Sequence, residues 1–432
     1  MDLDLLWRNR ITARCGRAHF DAPGGGYAFS NVLAEERELS RLNRPGDPAS
    51  ALLTLSVADP TWKMRREAME AALRFYEECP DATRYTDNAG IRGDGSAGFV
   101  RDTHTLLAEY LNRRFPDATV EFTADWVQYS PGSIKRALAE YLPTLFFDTQ
   151  TVLLFPTPGY PVVKSPMNRY DAEVVDVPLQ RRGQRWRIPI GVSIPAGLQP
   201  VLYANLPHNP TGTGYTAKEW AELIEWARIN DVILIVDEAY IDLCYSPEVV
   251  SILTVPGWEE CAVVLQSVSK GWNATGLRFG WMIAHPTVIR AIRKVTDVKD
   301  SGLFGPSIAA GLTCLAHPEW AEETRAAYER LHRLLYEGLR KAGFETAMPD
   351  AGLCQFTPAP RSADGVVFAD ALECAQWFRK ELRISLMHYT VEGEPWLRWA
   401  VTLKPVPECE LPTEEAVLEE VVRRLQSVRF EF

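Results

Sequence analysis

The chain has 432 residues, 46% hydrophobic and 24% charged, which is typical of a soluble globular protein with two domains or one large α/β domain and a smaller one. The sequence has 46 Lys and Arg and 57 Asp and Glu, so its formal net charge is -11. Such an acidic surface disfavours nucleic acid as a partner. Apolar runs fall short of the roughly 20 residues that a membrane helix needs, and the first residues lack the pattern of a secretory signal.

Cysteine usage bears on metal binding and on the redox environment. The sequence has no C-x-x-C pair and no close Cys/His cluster, which disfavours a zinc site. A disulfide framework is rare in long chains from reducing compartments. We therefore predict reduced, mostly buried thiols in a cytoplasmic protein. The eight cysteines are at positions 15, 79, 244, 261, 314, 354, 374 and 409.

Taken in chain order, segments rich in glycine and proline at 24–26 and 44–48 predict loops near the start. Short β-branched runs without polar alternation then predict strands at 201–205, 232–236 and 262–266. Such runs are typical of strands that are covered on both faces of a sheet.

A helix is predicted between the first two of these strands. Thr216 and Glu219 form a capping-box pattern at its start, and Asn230-Asp231 ends it. Strand, helix and strand in this order make a βαβ unit, so the strands are predicted to be parallel.

The C-terminal third has a different pattern, in which apolar helical stripes at 328–339 and 417–425 flank strand-like pieces such as 396–403. We predict an α/β fold in which a large domain, 56–299, has a mostly parallel sheet covered by helices on both faces. A smaller α+β domain is predicted from the N- and C-terminal segments, 1–55 and 300–432.

Polar segments follow the three predicted strands directly, at 205–212, 237–240 and 267–270. In open α/β sheets, ligands bind outside the carboxyl ends of the strands. All three segments are therefore predicted to face one crevice.

The side chains in this crevice suit one cofactor. Lys270, just past a buried strand, is predicted to be a desolvated amine with a lowered pKa, which can form a Schiff base with an aldehyde. Asp237 is a fixed anion for a protonated ring nitrogen, and Ser267, Ser269 and Arg278 suit a phosphate. Amine, carboxylate and phosphate site together match pyridoxal phosphate.

These residues also carry a family resemblance. The run Ser267-Val268-Ser269-Lys270, followed further along by Gly276-Leu277-Arg278-Phe279-Gly280, resembles the lysine signature of class I/II aminotransferases, which are fold-type I pyridoxal-phosphate enzymes similar to aspartate aminotransferase. Asn209-Pro210-Thr211-Gly212 and Asp237-Glu238-Ala239-Tyr240 resemble the other two landmarks of that family, in the same order.

The resemblance implies roles for individual residues. Lys270 carries the Schiff base and then moves a proton between the substrate α-carbon and the cofactor. Asp237 pairs with the pyridine nitrogen, and Asn209 and Tyr240 hydrogen-bond the ring hydroxyl oxygen. Arg398, in Trp396-Leu397-Arg398-Trp399, grips the substrate α-carboxylate, with Asn209 beside it.

Further positions are implied by the same resemblance. Tyr160 stacks on the cofactor ring, and Tyr85 reaches the phosphate of the neighbouring subunit, which implies a homodimer with shared active sites. The residues implied to hold the phosphate are Gly132, Ser133 and Ile134 at the start of a helix with free amides, together with Ser267, Ser269 and Arg278.

The implied reaction moves an amino group between an L-amino acid and a 2-keto acid. Elimination, cyclisation, racemisation and oxidation stay open, because the same residues serve them all. A non-catalytic binding protein on the same scaffold is a third hypothesis, and the sequence offers nothing in its favour. His208, in a turn, is predicted to serve packing.

The sequence also departs from the family pattern. Ala58-Asp59-Pro60 replaces a segment that often carries glycine, and Pro131 and Ile134 are bulky for a phosphate loop. Gly26-Tyr27-Ala28-Phe29 is a candidate lining of the substrate entrance. We identify no second arginine for a side-chain carboxylate, so the sequence does not support specificity for dicarboxylic amino acids.

Overall fold

The structure is a computed structural model that describes residues 2–15, 30–78, 103–300 and 304–432. A π-helical segment, Ala137–Tyr141, joins the helices Ser133–Arg136 and Leu142–Phe146. The α-helices of the described residues are α1 (Leu3–Cys15), α2 (Ser30–Ser40), α3 (Arg66–Glu78), α4 (Thr103–Arg114), α5 (Ser133–Arg136), α6 (Leu142–Phe146), α7 (Met167–Tyr170), α8 (Ala217–Ile229), α9 (Pro286–Lys299), α10 (Gly305–Ala316), α11 (Pro318–Lys341), α12 (Ala371–Glu381) and α13 (Glu414–Gln426).

The strands form one large sheet and several small ones. They are β1 (Leu53–Thr54), β2 (Val127–Tyr129), β3 (Thr151–Thr157), β4 (Glu173–Pro178), β5 (Gln180–Arg182), β6 (Arg185–Arg187), β7 (Gln199–Asn205), β8 (Ile233–Asp237), β9 (Ala262–Ser267), β10 (Gly280–Ile283), β11 (Cys354–Pro358), β12 (Ser362–Ala363), β13 (Val366–Val367), β14 (Ile384–Ser385), β15 (Met387–Val391), β16 (Glu394–Ala400) and β17 (Phe430–Glu431).

The large sheet of the described residues has the order β2-β10-β9-β8-β7-β3-β4. The neighbours from β9 to β4 run parallel, whereas β10 is antiparallel to both β9 and β2. The three strands predicted from the sequence are β7, β8 and β9. The predicted fold, a mostly parallel sheet with a smaller α+β part, is confirmed.

Both faces of this sheet are covered, as the apolar runs predict. Alternate strand residues such as Leu202 and Leu234 belong to a core shared with α4, α8 and α10. Their neighbours Val201 and Ile235 belong to a second core, on the side of α6 and α9. Because successive side chains of a strand point to opposite faces, a strand buried on both sides must be apolar throughout.

Helix α8 begins as its sequence predicts. The Thr216 hydroxyl accepts a hydrogen bond from the Glu219 amide, and the Glu219 carboxylate accepts one from the Thr216 amide, so both halves of the capping box form. The helix ends at Ile229 with Asn230 as its C-cap, and Asp231 adopts a φ of 53°. Together with β7 and β8, α8 makes the predicted βαβ unit.

The C-terminal residues build a second core around the sheet β11-β16-β15 and the helices α11, α12 and α13. Residues 51–55 near the start of the chain join this core, where β1 pairs in parallel with β14. The strand predicted at 396–403 is Glu394–Ala400, and the Val401 amide extends its pairing with β11 by donating to the Leu353 carbonyl at 2.9 Å. The domain limits at 56 and 299 stay a prediction. Among the described helices, none has the length and apolar character that crossing a bilayer requires.

Candidate active site

The carboxyl ends of β7, β8 and β9 open into one cavity of about 540 Å³. This confirms that the three polar segments face a common crevice. The cavity lining includes most of the residues predicted for the site, namely Ser133, Ile134, Tyr160, Asn209, Asp237, Tyr240, Ser267, Ser269, Lys270, Arg278 and Arg398. Gly132 lines a smaller pocket beside it, and Tyr85 and Gly26–Phe29 lie outside the described residues.

Asp237, the last residue of β8, is a buried carboxylate held by two donors. Its Oδ2 accepts a hydrogen bond from the Tyr203 hydroxyl at 2.8 Å, and its Oδ1 accepts one from the Ala239 amide at 3.1 Å. Burial raises the pKa of Asp237 to about 6, and the two hydrogen bonds and the nearby Lys270 oppose that rise. Asp237 is thus a buried carboxylate on the cavity wall, and a pKa of about 6 leaves it mainly ionised at neutral pH.

Lys270 lies in the turn after β9 with its amine at the cavity wall. Nζ donates to the Ala58 carbonyl at 2.9 Å and lies 3.6 Å from Asp59 Oδ1. Burial lowers the pKa of Lys270, and Asp59 opposes that change. A lysine with a lowered pKa has a larger share of neutral, nucleophilic amine near neutral pH.

A group of hydroxyls and one guanidinium line part of the cavity. Arg278, with a φ of 55°, donates to the Gly132 carbonyl at 2.7 Å and to the Thr275 carbonyl at 2.8 Å, so its guanidinium is fixed. Ser133 Oγ lies 3.5 Å from Ser269 Oγ. The fixed guanidinium and the two serine hydroxyls are hydrogen-bond donors, which suit an anion such as a phosphate.

The backbone here is tightly packed. A Cβ added to Gly280 would lie 3.0 Å from Ser133 Oγ, so glycine at this position lets β10 approach Ser133 closely. The helix predicted to follow Gly132 with free amides is the short α5, and the Ser133 amide already donates to the Ser130 carbonyl at 2.8 Å. Gly132, with a φ of 82°, makes a turn that brings the Ser133 amide to the Ser130 carbonyl. That amide is therefore not free.

Arg398 reaches the cavity from β16 and is 1% exposed. Its Nη2 donates to the Ser56 carbonyl, and its Nη1 donates to Asn209 Oδ1 at 3.1 Å and lies 3.4 Å from the Tyr389 hydroxyl. Asn209 follows β7, and its backbone amide donates to the Asn205 side-chain oxygen, Oδ1, at 3.0 Å. The two residues predicted to bind substrate thus contact each other.

Some lining residues were missed by sequence reasoning. Asn205 ends β7 and lines the cavity, but its place in the polar segment 205–212 gives no separate signal of a role. Lys135 and Asp59 carry charges on the cavity wall, and only their position in three dimensions shows this. His208 is buried, Nδ1 lies 2.9 Å from the Thr211 hydroxyl, and burial lowers its pKa to about 3, which agrees with a packing role.

The fold and the cavity define a class of protein: an α/β enzyme with a desolvated lysine, a buried carboxylate and an anion site at the carboxyl edge of its sheet. A family model described as aminotransferase class I and II matches residues 52–406. The chain belongs to this family, and it is an aminotransferase, as the sequence predicts.

Relatives and solved structures agree with this assignment. The LL-diaminopimelate aminotransferase of Methanocaldococcus jannaschii is 30% identical over 98% of this chain and 99% of that protein. The protein of the same name from Methanococcus maripaludis is 31% identical with the same coverage, 98% and 99%. The solved aspartate aminotransferase of Rhizobium meliloti covers 95% of this chain and 98% of its own with a TM-score of 0.78 at 18% identity, and it supports the fold.

Proposed function

We propose that this aminotransferase uses pyridoxal phosphate, held by the cavity at the carboxyl edge of the large sheet. The side chains on the cavity wall fit each part of that cofactor. Asp237 is a buried anion for a protonated ring nitrogen, Lys270 is an amine for the aldehyde, and Arg278 with the serine hydroxyls suits the phosphate. The observation that carries the proposal is the placing of these three groups in one cavity of about 540 Å³, a usual size for a ligand site.

When bound, pyridoxal phosphate supplies an aldehyde that condenses with amines and a protonated ring that withdraws electrons from the substrate α-carbon. Lys270 then moves the proton at that carbon, since its lowered pKa lets the amine accept and return a proton. Asp237 keeps the ring nitrogen protonated, and Tyr160 lies on the cavity wall as the stacking side chain. Arg398 holds the substrate carboxylate in a bidentate contact.

We propose LL-diaminopimelate as the amino donor, because the curated relatives that match nearly the whole chain carry that name. This molecule has a second carboxylate and a second ammonium at the far end of its side chain. Lys135 is a further cation on the cavity wall, so it suits the second carboxylate. Lys135 can thus bind a side-chain carboxylate for which the sequence motifs identify no second arginine.

The test is a spectral titration of the holoenzyme with single amino acids. LL-diaminopimelate should remove the visible absorbance of the bound cofactor at lower concentration than aspartate or alanine, and Lys270→Ala should show no turnover. Lys135→Gln should raise KM for LL-diaminopimelate about 10-fold, the cost of about 1.4 kcal/mol of a charged contact, and leave KM for alanine unchanged. A holoenzyme that transfers no amino group from any donor would refute the proposal.

We also propose that the protein is a homodimer and works in the cytoplasm. The apolar side chains of Met69, Leu73 and Tyr76 are 43%, 66% and 55% exposed, and their helical spacing puts them on one face of α3. Free thiols at six described cysteines agree with a reducing compartment. Sedimentation should give a dimer that Leu73→Glu weakens, whereas Ile229→Glu, at an equally exposed single position, should leave it intact.

A further inference from the structure

Helix α2, in the N-terminal segment, lies against the strand that contacts Arg398. Val32 and Leu33 of α2 pack on Met387 and Tyr389 of β15. The Tyr389 hydroxyl lies 3.4 Å from Arg398 Nη1. The helix is therefore one layer of side chains away from the guanidinium that faces the cavity.

A second connection runs from α2 to the same guanidinium through hydrogen bonds. Glu36 is 8% exposed, and its Oε1 accepts a hydrogen bond from the Ser56 hydroxyl at 2.5 Å. Ser56 is fully buried, and its backbone carbonyl accepts a hydrogen bond from Arg398 Nη2. Glu36 therefore holds Ser56, whose carbonyl in turn holds Nη2 of Arg398.

We propose that α2 positions Arg398, with Glu36 as the positioning residue. A bidentate contact to a carboxylate depends on the plane of the guanidinium, and an error of about 1 Å can cost a large part of the binding energy. The Ser56 carbonyl and Asn209 Oδ1 hold the two Nη atoms, and Glu36 limits the movement of the Ser56 side of that pair. The inference rests on the proposed role of Arg398 in binding the substrate carboxylate.

The neighbouring residue of the same helix provides a matched control. Glu35 pairs with Arg379, which is 2% exposed on α12 and donates to Ser385 Oγ at 3.2 Å. This contact ties α2 to the same small lobe as the Glu36 contact does. This route ends at the Leu55 amide, which donates to the Ser385 carbonyl at 2.9 Å, whereas Glu36 accepts from the Ser56 side chain itself. The two carboxylates therefore separate docking of the helix from the direct contact with Ser56.

The experiment compares Glu36→Ala, Glu36→Gln and Glu35→Ala as holoenzymes. Glu36→Ala should raise KM for both the amino acid and the keto acid about 5- to 10-fold, the range of one net hydrogen bond, with kcat and cofactor Kd within about twofold of wild type. Glu36→Gln should restore KM, because the amide oxygen still accepts from Ser56. Glu35→Ala should lower Tm and leave KM within about twofold.

Ser56→Ala completes the design. It should raise KM as Glu36→Ala does, and the double variant should be no worse than either single variant, since both remove the same bond. Unchanged KM in Glu36→Ala, or an equal rise in Glu35→Ala, overturns the positioning role while wild type still transfers amino groups. A wild-type holoenzyme that transfers none refutes the proposed function instead, so the two failures are distinct.

Discussion

The buried pair Tyr203–Asp237 allows a pH-dependent prediction for Tyr203→Phe. The phenol is 1% exposed and the carboxyl 2%, and the hydroxyl donates to Asp237 Oδ2 at 2.8 Å. Burial raises the pKa of Asp237 to about 6, above the ordinary value of an aspartate, and the Tyr203 hydrogen bond opposes this rise. Removing the hydroxyl therefore moves the pKa of Asp237 further upward.

The magnitude follows from the charge state of the acceptor. At pH 5 Asp237 is mainly protonated in the folded protein, so the variant loses a bond between neutral groups, about 1 kcal/mol. At pH 8 the carboxylate is ionised, and the loss is about 2 to 3 kcal/mol. The difference of about 1 to 2 kcal/mol corresponds to a rise of about one pH unit in the pKa of Asp237, since one unit is about 1.4 kcal/mol.

The sign of the pH dependence follows from linkage. Because the pKa of Asp237 is higher in the folded than in the unfolded chain, the free energy of unfolding falls as pH rises from about 4 to about 6. In Tyr203→Phe this fall should continue to about pH 7. Urea unfolding of the apoprotein at pH 5 and pH 8 measures both values.

Tyr129→Phe is the matched control, because its buried hydroxyl donates to a neutral acceptor, the backbone carbonyl of Thr103, at 2.6 Å. Its loss of stability should be equal at the two pH values. If Tyr203→Phe behaves in the same way, with equal losses at pH 5 and pH 8, the hydroxyl does not stabilise an ionised Asp237 and the reasoning is wrong.

Three further predictions concern the anion site and its support. Arg278→Gln should weaken cofactor binding about 10- to 100-fold in calorimetric titration, because it removes a fixed cation from the cavity wall. Thr216→Ala should cost about 1 kcal/mol in urea unfolding and leave cofactor Kd unchanged, since it removes only the cap of α8. Gly311→Ala should cost about 1 to 3 kcal/mol, because its Cβ would overlap the Phe279 ring, and it should also weaken cofactor binding by moving the adjacent Arg278.

The sequence predicts much of this site because the relevant signals are local. The apolar runs that make β7, β8 and β9 end in polar residues, and the carboxyl ends of parallel strands share an edge. Asp237 and Lys270 could therefore be assigned to one cavity without coordinates. The capping box at Thr216 forms as expected, because both of its hydrogen bonds join residues within one turn.

The contacts that adjust the site depend on distant parts of the chain, which local patterns do not report. In the sequence, Tyr203 has the pattern of an ordinary strand residue. Its hydrogen bond to Asp237 follows from the register of β7 and β8, which pairs Asn205 with Asp237. Arg398 meets Asn209 across 189 positions of sequence. The predicted free amides after Gly132 depended on backbone dihedrals, and the Ser133 amide is already bonded.

The charges of the cavity reconcile an acidic protein with anionic ligands. The chain carries a net charge of -11, which by itself would repel a phosphate and a carboxylate. The described residues that line the cavity include three cations, Lys135, Arg278 and Arg398, the Lys270 amine with its lowered pKa, and two carboxylates, Asp59 and Asp237. The electrostatic field of these nearby charges acts at short range and in a low dielectric, so it outweighs the field of the distant surface charges. Salt screens those surface charges over about 10 Å. Raising the ionic strength should therefore change the association rate of substrate far more than its affinity at the site.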